Sequence, residues 1–142
     1  MKIKLLTPTA TKPYQATSGA AGYDLRSDSP DLFIKPGETV MVRTGVAIHI
    51  GNENSMGLLV PRSSLGYRGL VLANTVGIID SDYQGEIMII LKNVNHHEIA
   101  LRHGERIAQL VFVKISSPTF LTVEEFSDET ERGRGGFGST GN

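Results

Sequence analysis

The stretch from Gly77 to Met88, Gly-Ile-Ile-Asp-Ser-Asp-Tyr-Gln-Gly-Glu-Ile-Met, places two carboxylates and a phenol in one polar break between apolar runs. The run before it (Val76, Ile78, Ile79) and the run after it (Ile87, Met88, Ile89, Ile90, Leu91) read as strands, and the whole as a hairpin with Asp80, Asp82 and Tyr83 at its tip. Gly with one Asn or Asp already supplies the geometry of a turn. The surplus groups suggest a site. An ordinary solvated turn is the alternative for this stretch taken alone. Asp80-x-Asp82-x-Gln84-Gly85 also resembles the opening of a calcium loop, but the twelfth position is Leu91 where a bidentate Glu is required, which excludes that chemistry.

Other stretches carry groups suited to an anion. Val60-Pro61-Arg62-Ser63-Ser64-Leu65-Gly66 follows a strand and reads as the start of a short helix, with Ser63 or Ser64 as its cap. A helix start has unused N–H donors, and the adjacent Arg and hydroxyls suit a phosphate; a plain capped turn is the equal alternative. In Ala20-Ala21-Gly22-Tyr23-Asp24-Leu25, Asp24 either serves backbone N–H groups at a strand entry or acts indirectly near a metal. Asn74, just ahead of the hairpin, has the donor and acceptor faces to pair with the edge of a base, though Asn is also common in turns. In Gly104-Glu105-Arg106-Ile107-Ala108-Gln109-Leu110, Arg106 reads as strand support and Gln109 as a neutral phosphate donor. The tail from Glu131 to Asn142 matches G-x-G-x-x-G at Gly133, Gly135 and Gly138, but no strand precedes it and the sequence ends before a helix could follow. A flexible arm remains, whose glycines let backbone amides close on an anion, with Phe137 to stack, Arg132 to pair and Ser139 and Thr140 to donate. The alternative is a disordered terminus.

The elements that must position these groups are short. Val, Ile and Thr recur between turn signals such as Pro36-Gly37 and Gly51-Asn52, and no segment holds a helical apolar period for three turns, so the expectation is an all-β sandwich or barrel. The last expected strand is Leu121 to Val123. A chain of 142 residues fits one domain. A net charge of -1 offers no field for a polyanion, so no direct nucleic-acid binding is expected, while a small anionic ligand stays open. Cysteine is absent, which excludes disulfides and thiolate metal sites. His49, His96, His97 and His103 have no zinc or metal-protease spacing. No apolar run suits a signal peptide or a membrane span, so a cytoplasmic protein without membrane contact is expected.

Taken together, Ala21 to Leu25, Pro61 to Gly66, Asn74 with Gly77 to Gly85, Gly104 to Leu110, and Arg132 to Gly141 resemble, in content, order and spacing, the five motifs of the trimeric deoxyuridine triphosphate nucleotidohydrolases, the dUTPases. One departure is Ser64, where many members carry Gly after Arg-Ser. The resemblance implies a distorted jelly-roll core over residues 1–128, an arm over 129–142 closing on an active site, and a homotrimer with active sites at subunit boundaries. It also implies hydrolysis of dUTP to dUMP and pyrophosphate, which limits uracil incorporation into DNA and supplies dUMP for thymidylate synthesis.

The same resemblance implies the roles. Main-chain groups near Gly77, Ile78, Ile79 and Met88, with the Asn74 amide, would read uracil; Tyr83 would pack against the sugar and exclude a 2′-hydroxyl. Arg62, Ser63, Ser64, Gly66, Gln109, Arg132, Gly138, Ser139 and Thr140 would surround the phosphates, and Phe137 would stack on the base. Mg²⁺ would be held mainly by phosphate oxygens, with Asp24 acting on it through water. Asp80 would be the catalytic base for in-line attack of water on the α-phosphorus, and a carboxylate is a weak base, so positioning must supply much of the rate. The rival readings are a deoxycytidine triphosphate deaminase-like enzyme and a non-catalytic nucleotide-binding jelly roll.

Overall fold

The computed structural model describes residues 1–137 and Ser139. Along the chain it contains β1 (Lys2–Leu5), β2 (Tyr23–Arg26), β3 (Leu32–Ile34), β4 (Thr39–His49), β5 (Ser55–Val60), α1 (Ser63–Tyr67), β6 (Leu70–Leu72), β7 (Gly77–Ile79), β8 (Glu86–Asn93), β9 (Ile99–Leu101) and β10 (Arg106–Lys114). Alternation with period two sets the inward face of the longest strands. In β8, Ile87, Ile89, Leu91 and Asn93 are buried while Met88 and Lys92 face outward. Strand β4 departs from that rule after Arg43. Its pairing with β8 passes from Arg43 opposite Met88 to Ala47 opposite Glu86, so Thr44, Gly45 and Val46 together face only Ile87. The bulge turns this end of β4 inward, and Thr44 to Ile48 are all buried.

Two four-stranded antiparallel sheets result, in the orders β1-β4-β8-β6 and β2-β10-β5-β7, with β3 and β9 as a separate ribbon. Val42, Ile89 and Leu91 of the first sheet, Leu25, Leu59 and Leu110 of the second, and Ile34 and Leu101 of the ribbon belong to one continuous core. This is the all-β, jelly-roll type of sandwich that the sequence implies.

Three expectations are corrected. Strands β7 and β8 do not form a hairpin: β7 pairs with β5 in one sheet and β8 with β4 and β6 in the other, so Asp80 to Gly85 is a crossover between sheets. Close backbone approach selects the partner of β7, since a Cβ at Gly57 would lie 3.2 Å from that of Ile79, and one at Gly77 would lie 2.9 Å from a Leu59 methyl. Leu121 to Val123 is not a strand; no regular element follows Lys114 among the described residues, and Phe120 and Leu121 are exposed. β-propensity alone does not order a segment with no sheet edge to pair with. Neither serine caps α1: Ser63 and Ser64 lie inside the helix, and the cap residue is Arg62, which makes no side-chain cap hydrogen bond.

Asn93, fully buried, is the main polar tie in the core. Its amide donates to the carbonyls of Ile34 (2.8 Å) and His97 (2.9 Å), and its side-chain oxygen accepts from the Asn95 N–H (2.8 Å). Asn93→Ala strands all three groups, and chemical denaturation should show a loss of about 3 kcal/mol.

Candidate active site

The crossover gives the chain a cleft. Asn74, Gly77, Ile78, Ile79, Asp80, Tyr83 and Met88, all singled out in the sequence, line one concavity of about 380 Å³ together with Met41, Leu59, Glu86, Ile87 and Ile90. Its walls are apolar and main-chain-rich, with Asp80 and Asn74 exposed at its margin. Just beyond Asn74 the chain makes a strained turn, because Thr75, a β-branched residue, has φ of 62°. That turn is held by the Thr75 N–H to Leu72 (3.0 Å) and the Val76 N–H to Asn74 (2.7 Å). At the other end Tyr83 folds back over Gly85, where any Cβ would collide with the phenol ring, and donates from its hydroxyl to the Glu86 carbonyl at 3.0 Å. Sequence reasoning missed Met41 and Glu86. An acidic residue opening an apolar strand was the available signal for Glu86; Met41 left none.

A second constellation sits on the β2–β10 seam. Asp24, only 3 % exposed, pairs with the Arg62 guanidinium through one oxygen and with Arg106 at 3.2 Å through the other. Gln109, directly opposite Asp24 in the ladder, approaches the first oxygen at 3.4 Å. One buried carboxylate is thus flanked by two cations and an amide, leaving net positive charge. Burial, then the nearby Arg106 cation, lowers the Arg62 guanidinium from its ordinary value, yet it remains charged at neutral pH. Arg26 adds a third cation, donating to Tyr14 at 3.2 Å and to the Gly104 carbonyl at 2.6 Å. Ser63, Ser64 and Gly66 are exposed beside Arg62 on α1. This arrangement suits an anion with several oxygens. Arg106, read from sequence as strand support, belongs to the charged cluster.

Among the described residues no group of three or more His, Asp or Glu side chains could hold a metal ion. Asp24 is the one carboxylate in the cluster, and its oxygens are engaged by Arg62, Arg106 and Gln109.

Cleft and cluster lie at opposite ends of one sheet. Ile79 pairs with Gly57, whereas Val60 pairs with Gln109 and Gln109 with Asp24. Three residues of strand rise and three strand spacings separate Ile79 from Asp24, a diagonal of roughly 17 Å. Among the described residues, the arm makes no hydrogen bond or ion pair with either. Arg132 closes a local turn, its Nε donating to the Gly135 carbonyl at 3.1 Å, and Phe137 is fully exposed. The Ser139 N–H reaches the Gly136 carbonyl at 3.1 Å, while Gly138 and Thr140 lie outside the described residues.

An all-β sandwich with a main-chain-lined cleft and a separate cationic cluster suits a small anionic ligand, and comparison with known proteins gives the family. The dUTPase family model matches residues 9–141, and the chain belongs to that family. It is 47% identical to the deoxyuridine 5'-triphosphate nucleotidohydrolase of Hydrogenovibrio crunogenus, over 99% of this chain and 96% of the relative. It is 49% identical to the enzyme of the same name from Acinetobacter baumannii, over 99% and 97%. Among solved structures, a mutant dUTPase of Staphylococcus bacteriophage 80alpha with dUpNHpp superposes with a TM-score of 0.89 at 32% identity, covering 99% of this chain and 98% of the other. A mutant dUTPase from phage phi11 of S. aureus, which coordinates a structural Mg(II) ion, gives 0.82 at 28% identity, over 89% and 98%.

Removing the charge from Asp24 leaves Arg62 and Arg106 facing each other without their counterion. Asp24→Asn should therefore lower the unfolding free energy by about 3 kcal/mol, measured by urea denaturation.

Proposed function

We propose that the protein hydrolyses dUTP to dUMP and pyrophosphate. The observation that carries this reading is the convergence of seven sequence-nominated residues on one cleft with Asp80 at its margin. In the proposed complex the uracil edge is matched by main-chain groups of Gly77, Ile78, Ile79 and Met88 and by the Asn74 amide. A buried base left with unmatched donors costs about 1 to 3 kcal/mol per group, which disfavours cytosine. Tyr83 walls the sugar and leaves no room for a 2′-hydroxyl. Asp80 orients a water and takes its proton as the water attacks the α-phosphorus in line with the departing pyrophosphate.

The cationic cluster receives the phosphates. Arg62, Ser63, Ser64, Gly66 and Gln109 hold oxygens from one side; Arg132, Gly138, Ser139 and Thr140 of the arm, starting at residue 129, close from the other. Phe137 stacks on uracil and excludes bulk water. Mg²⁺ would be held mainly by the phosphate oxygens, with Asp24 acting on it only through water, and would supply charge neutralisation.

The homotrimer that the family resemblance implies is supported by the same geometry. A carboxylate and a phosphate that share one water approach within about 6 Å. The roughly 17 Å diagonal from Ile79 to Asp24 exceeds that, so the reading takes the cleft from one subunit and the cluster from its neighbour. The exposed Phe120, Leu121, Phe126 and Phe137 beyond β10 agree with a terminal segment that is covered only in an assembly. A cytoplasmic location suits the cysteine-free chain, and among the described residues no helix is long and apolar enough to cross a membrane.

Phosphorus NMR of the products from dUTP, with UTP, dCTP and dTTP as controls and Mg²⁺ varied, tests the reaction. Resonances of dUMP and pyrophosphate are expected; ammonia release from dCTP instead would identify a deaminase. Asp80→Asn should keep nucleotide binding and lose about a thousandfold in turnover, and near-normal turnover would remove Asp80 from its role. Deleting Gly133 to Asn142 should leave a folded protein with about a hundredfold lower kcat/KM, whereas full activity would make the arm dispensable.

A further inference from the structure

Glu86 opens β8 at the foot of the crossover, and each of its polar groups is tied to something different. Its carboxylate accepts from Arg43 Nε at 3.0 and 3.2 Å and pairs with the second guanidinium nitrogen at 3.0 Å. It also accepts the Gly45 N–H at 2.8 Å. Its main-chain carbonyl accepts the Tyr83 hydroxyl at 3.0 Å. The carboxylate is 14% exposed and the guanidinium 55%, so Arg43 lies outermost and neutralises a charge that would otherwise line a cleft meant for an anionic ligand.

The anchor on the far side is rigid. Gly45 sits in the β4 bulge with φ of 64°, and a Cβ there would come within 2.6 Å of both the Ala10 methyl and an Asp28 carboxylate oxygen. Its carbonyl accepts from Leu6 at 2.8 Å, and neighbouring Thr44 donates to Ile87 at 2.6 Å. The Gly45 N–H falls where the ladder skips residues, so the Glu86 carboxylate stands in for a strand partner.

We propose that Glu86 is a positioning residue for sugar selection: clamped by Arg43 and the Gly45 amide, it holds the Tyr83 ring against the cleft through its own carbonyl. This rests on the dUTPase reading of the cleft. The test is the ratio of kcat/KM for dUTP to that for UTP in the full-length protein. Glu86→Ala should lower the ratio about tenfold, and Glu86→Gln, which keeps an acceptor for Gly45, only about threefold. Added to Tyr83→Ala, Glu86→Ala should produce no further fall, because both act through one ring. An unchanged ratio in a folded Glu86→Ala protein, or full additivity with Tyr83→Ala, overturns the proposal. Should the alanine variant fail to fold, Arg43→Gln reads the same link: an about threefold fall is expected, and an unchanged ratio overturns it. Wild-type protein that releases no dUMP would instead overturn the dUTPase reading itself.

Discussion

The cleft depends on the chain leaving one sheet and entering the other between Ile79 and Glu86. Two glycines permit it. Gly57 and Gly77 bring the backbones of β5 and β7 close enough that a side chain at either would strike its neighbour, and that approach commits β7 to the β2-β10-β5 sheet. Strand β8 is meanwhile held by its long ladder to β4. The segment between them cannot close as a tight hairpin, so it spans the gap, and the gap becomes the concavity on which Asp80, Tyr83 and Met88 converge.

Electrostatics organises the other end of that sheet. A carboxylate as enclosed as Asp24 is tolerated because Arg62 and Arg106 approach it from both sides. The carboxylate in turn holds two like charges close together before any ligand arrives. Their mutual repulsion, only partly relieved by one carboxylate, suits the cluster to a further small anionic group. Preorganisation of this kind avoids the reorganisation that mobile surface arginines would need on binding.

Much of this was legible in the order of residues, and what was hidden shares one cause. The burial of β8 follows from strict alternation, the nomination of Asp80 and Tyr83 from polar groups in excess of turn chemistry, and that of Asn74 from an amide with both donor and acceptor faces. The crossover was misread as a hairpin because local pattern shows that two strands flank a break, not which sheet each joins; that choice lies in the fit of Gly57 against Ile79. The Arg43–Glu86 clamp joins positions 43 apart, and the Asp24–Arg62 pair joins positions 38 apart. Leu121 to Val123 carried strand propensity into a region that offers no edge, and propensity without a partner is a weak guide.

The distance across the β2-β10-β5-β7 sheet has a genetic reading. With the proposed assembly, a chain crippled in the crossover and a chain crippled at the seam each spoil a different half of a shared site. Co-expressed, they would form hybrids in which one boundary always unites two intact halves, whichever chain is in the majority. Two silent alleles would then rescue each other, a behaviour unavailable to an enzyme whose site is contained in a single fold.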